Sequence, residues 1–324
     1  MLKPERIAII STRSFGYIDF LAEKLKATEN IDLVYINIDS ISFSYKNRLS
    51  RIRNGFRKLF SLPNMKDINR IEFIKKELAD KGTFDTILVI RPDKISKLAL
   101  MYLRENTSNL VCYLFDGIEN FKDQKKILHY FDFVYSYDKK DVLNNNFKFL
   151  TNYIYDFKID TKKISNLAFN VSSYDERFPF LEKLANHFEN INLPFRFIVK
   201  KEKPFNHDLI EISAVYLSLL EVKDVLAESF AIVDIQKQNQ TGLSFRVFEA
   251  LGYRKKLITN NQDVVNYEFY NPTNIFIITE DNYQIPKFFF DTPYVEIDPQ
   301  ILAKYYIDNW ILQVFNIDCN SSLK

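Results

Sequence analysis

Apolar residues in the first half of the chain come in short runs with helical patterns between them. Residues 7–10 (IAII), 33–36 (LVYI), 86–90 (TILVI), 110–115 (LVCYLF) and 133–137 (FVYSY) read as five strands. Residues 17–27 place Ile18, Leu21, Ala22 and Leu25 on one helical face, and residues 46–60 and 66–80 also read as helices. Strands that are apolar almost throughout, rather than at alternate positions, belong to a parallel sheet covered on both faces. Residues 1–150 are therefore predicted to form one doubly wound α/β domain. The pattern lapses over 151–163 (TNYIYDFKIDTKK), which reads as a linker. It then restarts, with strands at 164–169, 195–199, 231–235, 256–259 and 275–278 and helices at 178–188, 222–229 and 243–251. Residues 164–297 thus form a second domain of the same class. Asp298-Pro299 suits an N-cap followed by the first helical residue. It opens a C-terminal helix over 298–316, placed to pack back on the first domain. The expected architecture is α/β, two Rossmann-like doubly wound domains facing a cleft, with ligands at the carboxyl ends of the strands.

A length of 324 residues fits two domains. The 44 Lys plus Arg against 42 Asp plus Glu leave a net charge of +2, so no global field directs the chain to nucleic acid. The six glycines (Gly16, Gly55, Gly82, Gly117, Gly242, Gly252) are too far apart for G-x-G-x-x-G, a P-loop or a G-x-S-x-G elbow. His129, His187 and His207 are widely separated, Cys112 and Cys319 are too few for a knuckle, and no Asp-x-Asp pair occurs. No metal site and no bound cofactor are therefore expected. Two cysteines suit a reducing cytosol. The start has only a four-residue apolar run before Ser11, and no 18-residue apolar stretch occurs, so neither a signal peptide nor a membrane span is expected.

The stretch 231–261 (AIVDIQKQNQTGLSFRVFEALGYRKKLITNN) carries the most chemistry. A strand ends at Asp234-Ile235, a polar loop follows, and Gly242 precedes a helix. Backbone amides and the dipole at such a helix N-terminus make an anion site, and a glycine lets a diphosphate approach the backbone. Arg246 can reach a phosphate in bidentate fashion. Glu249 shares its face three residues on and can accept from a vicinal diol such as a ribose. The bland alternative is an Arg246–Glu249 pair at i,i+3 on a solvated helix.

The run Gln240-Thr241-Gly242-Leu243-Ser244, Arg246, Glu249-Ala250-Leu251-Gly252 and Lys255-Lys256-Leu257-Ile258-Thr259-x-Asn261 resembles bacterial lipopolysaccharide and capsular polysaccharide biosynthesis proteins, glycosyltransferases of the two-domain GT-B type. Tyr267-Glu268-Phe269-Tyr270-Asn271-Pro272-x-Asn274-Ile275 fits the same pattern. So, more weakly, does Tyr113-x-x-Asp116 with Phe131-Asp132-x-Val134-x-Ser136-x-Asp138. The resemblance implies that Glu249 holds the donor ribose and that Gly242, Leu243 and Ser244 face the diphosphate. Many retaining enzymes of this type carry a second glutamate eight residues earlier; Thr241 stands there, so no stereochemistry is assigned.

In the first domain the loop Ser11-Thr12-Arg13-Ser14-Phe15-Gly16-Tyr17 follows the first strand. Arg13 there is a candidate contact to an acceptor or phosphate, and the loop could equally be a plain βα connection. Asp116 follows the fourth strand and is the candidate base for an acceptor hydroxyl, or else a turn aspartate. Arg91, before Pro92, is a candidate contact to an anionic acceptor. Lys200 and Lys201 end a second-domain strand and either neutralise the donor diphosphate or are solvated.

Residues 46–60 (KNRLSRIRNGFRKLF) hold six cations, Lys46, Arg48, Arg51, Arg53, Arg57 and Lys58, and no acid. Leu49, Ile52, Phe56, Leu59 and Phe60 recur at helical spacing, giving a basic amphipathic helix that either touches a membrane surface or packs its apolar face on the domain. The sequence therefore reads as a cytoplasmic, metal-independent GT-B-like glycosyltransferase. Its expected partners are a nucleotide sugar and a glycan or lipid-linked acceptor, with peripheral contact to the inner face of the cell membrane through residues 46–60. The alternatives are a non-catalytic nucleotide- or glycan-binding subunit and a sugar-nucleotide epimerase.

Overall fold

The computed structural model describes residues 4–60, 62–160, 162–238 and 240–319. They form two α/β units, one running to Leu150 and taking in the chain again from Ile311, the other spanning Thr151–Trp310.

The first unit is built on strands β1 (Glu5–Ser11), β2 (Ile31–Asn37), β3 (Phe84–Ile90), β4 (Thr107–Leu114), β5 (Phe133–Ser136) and β6 (Lys148–Phe149). They run parallel in the order β2-β1-β3-β4-β5-β6. Burial of Ile7–Ile10, Ile87–Ile90 and Leu110–Leu114 on both faces accounts for their unbroken apolar runs. Helix Tyr17–Ala27 buries Ile18, Leu21, Ala22 and Leu25, the face its periodicity marks.

The second unit carries β7 (Asn166–Ser173), β8 (Phe195–Lys200), β9 (Glu211–Ser213), β10 (Ser229–Asp234), β11 (Lys256–Thr259) and β12 (Ile275–Ile277). They too are parallel, in the order β12-β11-β10-β7-β8-β9. Counted from β7, that is the 3-2-1-4-5-6 order of a dinucleotide-binding fold, and the winding reverses between β7 and β10. In the first unit the reversal lies between β1 and β3. Both units are thus doubly wound, as the sequence pattern implied.

Three differences from expectation bear on the site. Residues 152–156, within the stretch 151–163 read as a linker, are instead packed into the second unit. Ile154 bridges to Tyr306, donates its N–H to the Tyr305 carbonyl at 2.8 Å, and accepts from the Ile307 N–H at 3.1 Å. Tyr153, buried, meets Phe245 and Trp310 edge-on at 5.2 and 5.3 Å. An irregular buried segment has neither helical nor strand periodicity, so it resembled a linker. The C-terminal helix is broken. Asp298 does cap Pro299–Ala303, accepting from the Gln300 N–H at 2.8 Å, but a second helix begins at Ile307 and ends at Phe315. The second unit accordingly extends to Trp310 rather than 297. From Ile311 the chain belongs to the first unit, where the Gln313 carbonyl accepts from the Tyr135 hydroxyl at 2.9 Å. Lastly, the helix expected at 243–251 is Phe245–Gly252.

Candidate functional site

The switch point of the second unit is framed by the segments leaving β7 and β10. Asp234 ends β10 and is almost wholly buried. Its carboxylate accepts from the Ser244 hydroxyl at 2.9 Å and lies 3.4 Å from that of Thr259. Burial pushes its pKa above the ordinary carboxylate value, and the Ser244 contact and the charges of Arg177 and Arg246 offset this only in part. Ser244 is the N-cap of Phe245–Gly252, accepting from the Arg246 N–H at 3.1 Å. One serine therefore ties the strand end to the helix start. Arg177 enters from the loop after β7, where Asp175 grips it at 2.8 and 2.6 Å, and it donates to the Ile235 carbonyl at 3.2 Å. Asn170 of β7 donates to the Val233 carbonyl at 2.7 Å, a polar tie between the two strands at the reversal.

The loop after β10 is closed by side-chain amides. The Gln236 N–H donates to Asn260 Oδ1 at 2.7 Å, and Gln236 Nε2 to the Gly242 carbonyl at 2.6 Å. Asn261 Nδ2 reaches the Thr241 carbonyl at 3.3 Å. Gln236 Oε1 is buried and has no hydrogen-bond partner among the described residues. A buried acceptor left without a donor costs about 1–3 kcal/mol, so a donor arriving here, from water or a ligand, is favoured.

The helix carries Arg246 and Glu249 as anticipated, but in a different state. Glu249 is fully buried, its Oε2 paired with Arg246 and its Oε1 accepting from the Tyr155 hydroxyl at 2.6 Å. The i,i+3 pair is therefore formed, and it is buried rather than solvated. The open ribose acceptor expected from sequence is closed over in this structure because Tyr155 and Arg246 cover it. Gly242 lies before the helix and not on a stripe with Arg246 and Glu249; its carbonyl serves the loop. The Leu243 side chain is in the core, and its carbonyl accepts from Asn152 Nδ2 at 2.9 Å.

Sequence reasoning missed the segment that orients this helix. Besides Asn152, Tyr153 and Tyr155, Asp156 takes Lys223 Nζ at 2.6 Å and the Tyr253 hydroxyl at 3.1 Å. Burial alone would raise the Asp156 pKa, but the Lys223, Lys158 and Tyr253 hydrogen bonds outweigh it and hold the carboxyl below the usual range. A Cβ on Gly252 would lie 2.3 Å from the Asp156 carbonyl oxygen, so only glycine allows this approach. Asp175, Arg177, Asp234 and Gln236 also went unassigned. A signal for them existed in the rule that places ligands where strand order reverses, once the order is known.

Lys200 ends β8, with its ammonium 4.9 Å from the centre of the Tyr216 ring; Lys201 sits 3.3 Å over Tyr174. Neither is simply solvated. His187 lies in the last turn of Phe178–Asn190 and His207 is 3.0 Å from Glu182 of the same helix.

In the first unit the corresponding edge is formed by the segments after β1 and β3. Arg13 is exposed, and its N–H donates to Asp39 at 3.0 Å. Ser14, Phe15 and Gly16 follow with φ of 44°, 59° and 101°. Arg91 adopts φ 63°, a left-handed conformation disfavoured both for a residue with a Cβ and before proline. It is held there by Asp93 at 2.8 and 2.9 Å and by stacking 3.9 Å from the Phe121 ring centre. Burial works against its charge, but Asp93, Asp116 and Asp39 outweigh burial and raise its pKa. Asp116 is half-buried beside this guanidinium. The structure thus brings Asp116 and Arg91 into one charge cluster.

Among the described residues, no group of three or more His, Cys, Asp or Glu side chains could hold a metal ion. Cys112 and Cys319 are free and buried. No described helix is long and apolar enough to cross a membrane.

No protein-family model matches the chain. A curated relative, uncharacterized protein L666 of Acanthamoeba polyphaga mimivirus, is 26% identical over 177 residues, 49% of this chain and 68% of the viral one. Solved structures match nearly end to end. The S. aureus MnaA–UDP co-structure has a TM-score of 0.54 at 11% identity, covering 97% of this chain and 98% of that one. The UDP-GlcNAc 2-epimerase from Neisseria meningitidis bound to UDP-GlcNAc gives 0.51 at 10% identity, with 97% and 100% covered. A further UDP-N-acetylglucosamine 2-epimerase gives 0.52 at 11%, with 97% and 96% covered. The chain therefore has the GT-B-like fold of these proteins, two parallel sheets flanked by helices.

Proposed function

We propose that this chain is an enzyme of nucleotide-sugar chemistry, and that it transfers the sugar to a glycan or lipid-linked acceptor in surface-polysaccharide assembly. The observation that carries the donor site is the meeting, at the strand-order reversal of the second unit, of a capped helix N-terminus with Arg177 and Arg246 around one buried carboxyl. A helix N-terminus and guanidinium groups stabilise a diphosphate both when bound and as it leaves. In this reading the diphosphate competes with Glu249 for Arg246. Glu249, relieved of its partner but still oriented by Tyr155, then accepts the ribose hydroxyls. Ser244 and the loop amides near Gly242 face the phosphates, and Lys200 adds positive charge at the same sheet edge. The acceptor side falls to the first unit, with Asp116 as the base that takes the hydroxyl proton and Arg13 as an anion contact.

Calorimetry with a panel of nucleoside diphosphates tests the first step. Saturation at 100 times the dissociation constant would add about 2.7 kcal/mol of stability. Failure of every nucleotide to bind would overturn the reading. Binding without turnover would favour a non-catalytic subunit.

A second reading, sugar-nucleotide epimerisation, is favoured by the fold shared with the UDP-GlcNAc 2-epimerases. It needs proton donors and acceptors on both faces of the sugar, and the placements of His187 and His207 do not supply them at Arg246 and Glu249. Product analysis separates the two. An epimerised nucleotide sugar formed without acceptor would replace transfer by epimerisation.

A further inference from the structure

Helix Arg48–Leu59 is turned inside out relative to every other amphipathic helix described above. At 100° per residue, Leu49, Ile52, Phe56 and Leu59 fall within one 80° stripe, and Asn54 lies diametrically opposite. Burial settles which side faces the protein. Asn54 is the inward residue, 4% exposed, donating to the Tyr45 hydroxyl at 2.8 Å and accepting from the Met65 N–H at 2.7 Å. Arg57 Nε secures the same side by donating to the Pro63 carbonyl at 2.7 Å. The apolar stripe faces outward, with Leu49 74%, Ile52 56%, Phe56 58% and Leu59 75% exposed. Phe60 and Leu62 extend it beyond the helix, both more than half exposed. Arg48 and Arg53 flank the stripe on its two sides, and the segment 46–60 holds six cations and no acid in a chain whose net charge is only +2.

Four large apolar side chains left in water between flanking arginines suit a surface that is apolar beneath and anionic on top. We propose that this helix docks the protein on a lipid bilayer bearing anionic headgroups, with the apolar stripe entering the boundary between headgroups and acyl chains and Arg48 and Arg53 meeting the lipid phosphates. Charge complementarity selects this occupant. A second copy of the chain would bring six like charges against six, and the polar underside is already committed to Tyr45, Met65 and Pro63. The helix is held on the protein by its polar side, so the apolar side is presented without unfolding anything. The docking surface is independent of the enzymatic reading.

The test is co-flotation of the full chain with vesicles. One set is pure phosphatidylcholine, the other contains about 30 mol% phosphatidylglycerol. Binding is expected to the anionic set alone and to fall steeply at about 0.5 M salt, where the Debye length is little more than half its physiological value. Arg48→Gln with Arg53→Gln should weaken partition about 25-fold, at roughly fivefold per cation. Leu49→Ser with Phe56→Ser should weaken it at least as much while leaving the melting temperature unchanged, because those side chains are outside the core. Four results would each overturn the proposal: no binding, equal binding to neutral vesicles, unfolding of the Leu49/Phe56 variant, or a dimer in solution that this variant dissolves. Binding to duplex DNA that matches vesicle binding and ignores the Leu49 and Phe56 changes would do so too.

Discussion

The carboxyl edges of the two sheets answer the same topological question differently. In the second unit, Ser244, Asp234, Thr259, Arg246, Glu249 and Tyr155 form a chain of buried and partly buried contacts reaching from β10 through the helix to the segment before β7. In the first unit, Arg91 pairs with Asp93 two residues on, only the backbone N–H of the exposed Arg13 is tied down, by Asp39, and the backbone is strained at Ser14, Phe15 and Arg91. A site that must hold a charged, multi-point ligand benefits from groups fixed by packing before the ligand arrives. A site that must admit varied or bulky acceptors can keep its charges on exposed loops. In the function proposed above, the second unit's edge takes the donor and the first unit's edge the acceptor.

The largest expected effect comes from Glu249→Ala. It leaves Arg246 without its carboxylate partner, and breaking a buried pair costs about 3–5 kcal/mol. Urea unfolding should show that loss, and calorimetry should show nucleotide affinity lost. Glu249→Gln keeps the shape and should retain the fold while still weakening nucleotide binding at least tenfold. Affinity within twofold of the unchanged protein would break the comparison at its donor end.

Gly252→Ala is next. Its Cβ meets backbone at 2.3 Å, so the segment around Asp156 must move and the helix with it; a stability loss of about 1–3 kcal/mol is expected. Gly55 of the first unit has open space around its would-be Cβ, so Gly55→Ala should stabilise by up to about 1 kcal/mol. Thermal unfolding of the two variants side by side checks the opposed signs.

Asp116→Asn and Arg13→Ala should leave nucleotide affinity within twofold while lowering transfer, by about 10²-fold for a lost general base. Initial rates with saturating donor measure this. Equal loss of nucleotide binding would show that the two edges do not divide the work.

A last test, of pH dependence, probes the opposite end of the second sheet. Lys255 precedes β11, donates to the Ser229 carbonyl at 2.7 Å, and is pushed by burial from 10.5 down to about 8. Below about pH 8 the folded protein carries this charge at a desolvation cost. Between about 8 and 10.5 the folded form has shed the proton while the unfolded chain retains it, so stability attributable to Lys255 rises through that window. Unfolding midpoints of the wild type relative to Lys255→Met, followed across it, should converge or cross in the wild type's favour.

Gln236, Asp175 and Tyr155 lie far apart in sequence and have no spacing rule to join them, so no motif could have marked them together. Arg246 and Glu249 were legible because one helix turn brings them together whatever the rest of the chain does. Their state was not, since burial of the pair depends on Tyr155, which sequence reading had placed in a linker. The short edge strands β6 and β9 escaped notice for a related reason: two or three partly exposed residues carry no apolar run.

The local pattern by itself determined the parallel α/β class, the helix holding Arg246 and Glu249, and the amphipathic character of residues 46–60, because unbroken apolar runs and a 3.6-residue spacing are set by neighbours along the chain. Only the tertiary structure decided which face of that basic helix turns outward, that residues 152–156 clamp Phe245–Gly252, and where strand order reverses. Each depends on what lies across the fold from a residue. Solvent exposure, desolvation and close approach are properties of pairs distant in sequence, and the pattern along the chain records only neighbours.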